Sequence, residues 1–182
     1  MGSVVLEARF NPYGDVETIG NAAFKVPGYG LLVQVTVVPR GQATLSEAPT
    51  WVPAIVDTGC SANVVIAADH LELFGGPGAF RYIGKARGTY GSGETGEFSL
   101  YDGDIWIRSS VSPLPPFKLE LKDGFAVAKA EEGRPGPRTP VVGARSLATA
   151  NLLLTVDYHL LRFTLQTPDP ATVLHLPGQA GT

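Results

Sequence analysis

The stretch AIVDTGCS at positions 54–61 decides how this chain is interpreted. Apolar residues, among them the β-branched Ile55 and Val56, run directly into Asp57, and the Asp-Thr-Gly triplet that begins there favours a sharp turn over continued sheet. Backbone N–H groups of such a turn can hold the carboxylate in a fixed orientation, and a carboxylate held in this way can bind and deprotonate a water molecule. The triplet alone is short enough to occur by chance, so its surroundings must decide between a catalytic and a turn-capping aspartate.

A mostly β pattern surrounds the motif. Residues 31–38 (LLVQVTVV) are rich in β-branched side chains, and residues 64–66 resume a strand pattern after the turn. Residues 87–107 combine a glycine-rich centre with alternating apolar positions, which is typical of a long, mobile β-hairpin. One short helix is predicted over 143–151, and it ends at Asn151, a residue that tolerates the left-handed conformation at a helix end. The pattern of 152–166 predicts two strands around a turn at Asp157, Tyr158 and His159.

Composition places this pattern in a single globular domain. The 182 residues are 44% hydrophobic and 17% charged, which is enough apolar material for one core. The net charge of −3, with Lys and Arg scattered singly, provides no basic patch for phosphates, so we expect no nucleic-acid partner. No apolar run approaches the roughly 20 residues of a membrane span, and no basic segment leads into an apolar one near the first residue. We therefore expect no membrane partner and a cytoplasmic location.

Cysteine and histidine usage bears on metals and redox chemistry. Cys60 is the single cysteine, so an internal disulfide cannot form, and we expect its side chain to act as a small buried hydrophobe. The three histidines, His70, His159 and His175, are far apart and lack the spacing of metal ligands, so we expect them at surface or capping positions. The sequence predicts no metal site and no cofactor.

Four stretches, taken in order, resemble the retropepsin-like aspartic proteases, the single-lobe relatives of pepsin. They are AIVDTGCSANVVI at 54–66, RGTYGSGETGEFSLYDGDIWI at 87–107, PVVGARSLATANL at 140–152 and LLLTVDYHLLRF at 152–163. In that family an apolar strand runs into Asp-Thr/Ser-Gly, and a glycine-rich β-hairpin flap follows. Two hydrophobic residues and a glycine then open a short helix, and a hairpin closes the fold. Four matches in the family's order are far more specific than the triplet.

The resemblance implies an all-β fold, namely a closed pepsin-type (retropepsin-like) β-barrel with a flap hairpin and one short helix. We expect one domain over residues 1–182, with the resemblance covering a core at about 31–165. Residues 1–30 form an N-terminal extension in this interpretation, and residues 166–182 form a flexible tail.

The resemblance also implies roles for residues around the motif. Asp57 would be the catalytic carboxylate. Thr58 would make the hydroxyl contacts that lock two catalytic loops together across a dimer, and Gly59 would let the backbone approach both the aspartate and the substrate. The residues that would support this loop from beneath are Val141, Val142 and Gly143.

The glycine-rich hairpin corresponds to the flap of the family. The resemblance implies a flap tip that closes over an extended polypeptide substrate and binds it, formed by Tyr90, Gly91, Ser92 and Gly93. The chain departs from the family pattern at Cys60, where alanine is commoner, and at two acidic positions near the tip, Glu94 and Glu97. We expect the first change to be tolerated, whereas the acidic pair either biases the substrate charge or keeps an exposed hairpin soluble.

The chemistry of this class requires two aspartates that share one proton, because like charges so close together cannot both be ionised. This chain contains no internal repeat and no second Asp-Thr/Ser-Gly triplet. The partner carboxylate would therefore come from an identical subunit, which predicts a homodimeric aspartic endopeptidase acting on a polypeptide. A second hypothesis stays open, in which the chain is a non-catalytic β-barrel binding or interaction module that retains the fold, and Asp57 is structural.

Overall fold

The computed structural model describes residues 2–10, 12–89, 95–129 and 139–169. The described chain is predominantly β, as the sequence predicts. Its strands in chain order are β1 (Val4–Arg9), β2 (Asp15–Ile19), β3 (Ala22–Val26), β4 (Leu32–Pro39), β5 (Val52–Asp57), β6 (Val64–Ala67), β7 (Arg81–Thr89), β8 (Thr95–Arg108), β9 (Phe117–Leu119), β10 (Phe125–Ala128), β11 (Val141–Gly143), β12 (Leu153–Asp157) and β13 (Arg162–Gln166). The helices are the α-helix α1 (Ala144–Thr149) and two 3₁₀ helices, η1 (Ala68–Phe74) and η2 (Pro77–Ala79).

The main sheet closes on itself. Its strand order is β10-β6-β11-β5-β4-β8-β7, with β9 added on β8, and β10 also pairs with β8, so the strands from β10 to β8 form a ring. β11 runs parallel to β5, and β10 runs parallel to β6, while the other neighbours are antiparallel. Buried side chains from most of these strands make the main core, including Val35, Ala54, Ile66, Ile105 and Phe125.

β8 is the longest of the described strands, and its two halves pair with different neighbours. Its first half pairs with β7 and β10, and its second half pairs with β4 and β9. The change of partner falls next to Gly103, where a Cβ would lie 2.9 Å from the Phe125 ring and 2.9 Å from the Val38 carbonyl oxygen. Only glycine allows strand β8 to pass this close to its neighbours.

The predicted helix and closing hairpin are found close to their expected positions. α1 occupies Ala144–Thr149, and Asn151 just beyond it adopts a left-handed φ of 52°. This agrees with the expectation that an asparagine can end the helix in that conformation. β12 and β13 then form the antiparallel pair predicted around Asp157.

The first and last parts of the described chain lie side by side. β1 pairs with β13, and β13 pairs with β12, so these strands form a separate three-stranded sheet. Gln166 lies opposite Val4, and the N–H of Thr167 donates to the carbonyl of Ser3 at 2.9 Å. The predicted tail therefore begins inside paired structure, and its part over 170–182 lies outside the described residues.

β2 and β3 form an isolated two-stranded hairpin within the predicted N-terminal extension. Strand β3 of this hairpin packs against β5, and its Phe24 ring contacts His70 of η1. His70 is only 3% exposed, so the expectation of a surface or capping position is wrong for this histidine. The cause is the apolar cover supplied by Phe24, which is far away in the sequence. None of the helices in the described ranges has the length and apolar character that crossing a membrane would require.

Candidate functional site

Asp57 is the last residue of β5, and its side chain is exposed at the start of a tight turn. The N–H of Gly59 donates to Oδ1 of Asp57 at 2.8 Å, and the N–H of Cys60 donates to the Asp57 carbonyl at 3.1 Å. A Cβ on Gly59 would lie 3.2 Å from the same Oδ1, so a side chain there would crowd the carboxylate. The turn therefore orients one carboxylate oxygen by a backbone bond and leaves the carboxyl group open to solvent.

Strand β11 and the start of α1 lie against this turn. Gly143 is opposite Asp57 in the parallel register, and Val141 and Val142 lie opposite the two residues that precede it in β5. The N–H of Gly143 donates to the Asn63 carbonyl at 2.8 Å, and the N–H of Ala144 donates to the Cys60 carbonyl at 3.0 Å. Gly143 thus lies directly against the turn, whereas Val141 and Val142 pair with the strands on either side of it, β5 and β6.

The contact at Gly143 is too close for any side chain. A Cβ there would lie 2.1 Å from the Ala62 carbonyl oxygen and 2.7 Å from the Cys60 carbonyl oxygen. The φ of Gly143 is −86°, a value open to every residue, so the requirement for glycine comes from space and not from backbone conformation.

Two buried polar residues complete the support of the turn, and the sequence analysis missed both. Ser146 is 1% exposed, and its Oγ donates to the Gly143 carbonyl at 2.8 Å. Asn63 is buried, and its Nδ2 donates to the Gly124 carbonyl at 3.2 Å, which ties the Asp57 turn to the segment before β10. A polar residue inside an otherwise apolar stretch was the available signal, since buried polar side chains need a partner.

A cavity of about 570 Å³ lies in front of the Asp57 turn. One wall is apolar and includes side chains of a small buried cluster, namely Val65, Phe98, Leu100 and Ala126. The volume and the mixture of an apolar wall with a few charged groups are typical of a site for an organic ligand.

Charged groups line the rim of the same cavity. Arg145, at the start of α1, forms an ion pair with Asp123, and Arg87 belongs to strand β7. Asp57 forms no ion pair within the described residues, so its carboxylate is the acidic group in the cavity that is left without a basic partner there. Within the part of the chain that the structure describes, no cluster of His, Cys, Asp and Glu could hold a metal ion.

The hairpin of β7 and β8 lines the same cavity as the Asp57 turn. Residues 86–89 line it, and the two strands pair up to Thr89 opposite Thr95. The predicted flap tip, Tyr90, Gly91, Ser92 and Gly93, lies outside the described residues, as does Glu94. On the outer part of the hairpin, Nζ of Lys85 forms an ion pair with Oε1 of Glu97 at 2.7 Å, and both side chains are exposed. This bond lowers the pKa of Glu97 and raises the pKa of Lys85.

Thr58 and Cys60 flank the oriented carboxylate. Thr58 is exposed, and its hydroxyl makes no hydrogen bond within the described residues. Cys60 is half-buried and lines the cavity, which is less buried than the sequence analysis expects. The Cys60 carbonyl, rather than its thiol, makes the structural contact, because it accepts a hydrogen bond from the N–H of Ala144.

Comparison of the chain with protein-family models, with curated proteins and with solved structures finds no match.

Proposed function

We propose that the protein is a homodimeric aspartic endopeptidase with a retropepsin-like, pepsin-type fold. The observation that carries this proposal is the placement of Asp57. Its carboxylate is exposed, is oriented by the N–H of Gly59, and lines a cavity of about 570 Å³ that is also lined by the β7–β8 hairpin. An oriented carboxylate facing an open cavity of this size is what activation of a water molecule beside a bound polypeptide requires.

In the proposed mechanism, the Asp57 carboxyl groups of two copies face each other and share one proton. The ionised carboxylate takes a proton from a water molecule, and the water oxygen bonds to the carbonyl carbon of the substrate. The neutral carboxyl donates its proton to the carbonyl oxygen, so that a tetrahedral diol forms. When the C–N bond breaks, the protonated carboxyl group gives its proton to the amine nitrogen. The ionised carboxylate takes a proton from one diol hydroxyl as the new carboxylic acid forms, and the dyad again holds one proton.

The rest of the site fits an extended polypeptide. The hairpin of β7 and β8 lines the same cavity as the Asp57 turn, and the apolar wall around Phe98 and Leu100 would receive apolar side chains of the substrate. The exposed hydroxyl of Thr58, next to Asp57, would contact the second copy in the proposed dimer.

The decisive experiment compares Asp57→Asn with Asp123→Asn on a peptide library read by mass spectrometry. Both variants remove one carboxylate from the lining of the same cavity, but Asp123 is already paired with Arg145 and has no role in the chemistry. We expect Asp57→Asn to lower peptide hydrolysis by about 10³-fold or more while keeping its melting temperature. Asp123→Asn should cleave at a rate near that of the wild type. Equal cleavage by Asp57→Asn and wild type would sink the assignment.

The dimer is tested separately by sedimentation across a concentration series, with activity measured at each concentration. Specific activity should rise with the fraction of dimer, because the monomer lacks the second carboxyl group. Activity should also be greatest at acidic to mildly acidic pH, where the dyad retains its proton. A strictly monomeric protein that cleaves peptides contradicts the shared-proton mechanism. A monomer that is inert throughout favours the binding module.

A further inference from the structure

The N-terminal hairpin of β2 and β3 is held to the rest of the described chain, here called the body, mainly by side-chain contacts. β2 and β3 pair with each other and with no other described strand. Its main apolar anchor is Phe24, which is fully buried, and Ile19 and Ala22 pack at the edge of the same core. One polar bond is added, from Oγ1 of Thr139 to the carbonyl of Lys25 at 2.7 Å. Because no backbone ladder joins this hairpin to the ring, it can separate as a unit at a lower cost than the strands of the ring.

The group beneath Phe24 is the imidazole of His70 in η1. The two ring centroids are 4.3 Å apart, with their planes at 38°. His70 is 3% exposed, and its Nδ1 is buried without a hydrogen-bond partner among the described residues. A neutral imidazole can leave this nitrogen unprotonated, whereas the charged form would bury a second N–H donor with no acceptor.

Little in the surroundings could compensate a charge on this ring. Apart from the Phe24 contact, the elements that pack most extensively against η1 are β4 (LVQVTVVP), β6 (VVIA), β10 (FAVA) and η2 (PGA), and none of these four contains a titratable side chain. On the hairpin, Lys25 of β3 and Asp15 of β2 are exposed, and Glu17 of β2, which lies opposite Phe24 in the register, is half-buried. None of these three groups is among the causes that shift the pKa of His70. On η1 itself, Asp69 and Glu72 are exposed, and Asp69 partly offsets the burial, which remains the dominant cause of a lowered pKa for His70.

We propose that His70 is an acid-sensitive latch, in which the neutral imidazole holds the β2–β3 hairpin through Phe24 and protonation releases the hairpin from the body. Release gives the imidazolium access to water on both nitrogens. Docking of the hairpin is complete above the ordinary pKa of an exposed histidine, 6.5, and weakens as the pH falls below it, since the released state binds the additional proton.

Release of the hairpin would affect the chain that leads into β11, the strand that pairs with β5 beside Asp57. Thr139 would lose its bond to Lys25, and the next residue, Pro140, accepts a bond from the N–H of Ile55 at 2.8 Å. Val141 then lines the cavity. The latch therefore connects the pH of the surroundings to the support of the Asp57 turn, and it does not depend on whether the cavity hydrolyses peptides.

The test is hydrogen exchange of the full chain at pH 7.5 and pH 5.0, expressed as protection relative to the intrinsic exchange rate at each pH. For uptake of a single proton on release, protection of the amides in 15–26 should fall by up to about 30-fold between these values, while β4 and β8 stay protected. His70→Phe keeps an aromatic ring on Phe24 but cannot be protonated, so its hairpin should keep its protection. His159→Gln, at an exposed turn, should behave like the wild type.

A second measurement on the wild type keeps the test decisive if His70→Phe does not fold. With three histidines in the chain, their ring protons can be followed separately by NMR. The His70 resonance should titrate below the ordinary pKa of an exposed histidine, 6.5, and together with the loss of hairpin protection. Unchanged hairpin protection at pH 5.0, an equal loss in His70→Phe, or a simultaneous loss in β4 and β8 would each overturn the latch.

Discussion

Gly143→Ala tests whether the close approach of β11 to the Asp57 turn is required. The added methyl group would lie 2.1 Å from the Ala62 carbonyl oxygen and 2.7 Å from the Cys60 carbonyl oxygen. Both are backbone atoms, so the conflict cannot be relieved by rotating a side chain. The turn and the start of α1 must move apart instead.

The size of the effect follows from the contacts that this movement breaks. Overpacking of a tight site costs about 1–3 kcal/mol. The two backbone bonds across the contact, from Gly143 to Asn63 and from Ala144 to Cys60, are worth about 0.5–1.5 kcal/mol each. The free energy of unfolding should therefore fall by about 2–6 kcal/mol, which corresponds to a melting temperature lower by about 5–20 °C for a domain of this size.

Calorimetry or thermal melting of Gly143→Ala beside Gly78→Ala measures this effect. Gly78 is the matched control, because a Cβ there would have no heavy atom within 4 Å and its φ is not in the left-handed region. The control should change the free energy of unfolding by no more than about 0.5 kcal/mol. If Gly143→Ala melts at the same temperature as the wild type and Gly78→Ala, the steric account of this site is refuted.

Two further variants test other supports. Ser146→Ala removes the buried donor to the Gly143 carbonyl and should lower the free energy of unfolding by about 1–2 kcal/mol in urea titrations, whereas no change would mean that this bond is not needed. Asp102→Asn should be less stable than the wild type at neutral pH, and its stability should depend less on pH below about 4. The reason is that hydrogen bonds from Arg81 and Arg40 lower the pKa of Asp102. Their contribution to the free energy of unfolding is therefore present above the ordinary pKa of an aspartate and is lost as acid protonates Asp102. Parallel losses of stability in acid for both proteins would contradict this.

Local signals in the sequence identified several elements well. The apolar run before Asp57 became β5, and the turn N–H of Gly59 orients the carboxylate as the Asp-Thr-Gly triplet suggested. The helix after Gly143 and its left-handed end at Asn151 also agree with expectation. These features depend on residues a few positions apart, so backbone preferences and turn chemistry are sufficient to predict them.

Contacts between distant segments could not be predicted in this way. The pairing of β1 with β13 joins residues about as far apart as the described chain allows, and His70 was expected at the surface because nothing near it in the sequence shows that Phe24 covers it. The bond from Asn63 to Gly124 was missed for the same reason. An amide in an apolar stretch shows that a partner is needed, but not where that partner lies.

By itself, the sequence determined that the chain is mostly β, that Asp57 ends an apolar strand in a glycine-containing turn, and that a second carboxylate of the same kind is not present in the chain. Only the tertiary structure decided that Gly143 lies against that turn, that a cavity opens in front of it, and that the N-terminal hairpin rests on His70. Hydrophobic periodicity specifies which face of a strand is buried. The hydrophobic effect that buries this face is non-directional, so any apolar surface could cover it. The periodicity does not specify which distant segment supplies the cover, since that choice depends on shape, space and hydrogen-bond partners that exist only after the chain has folded.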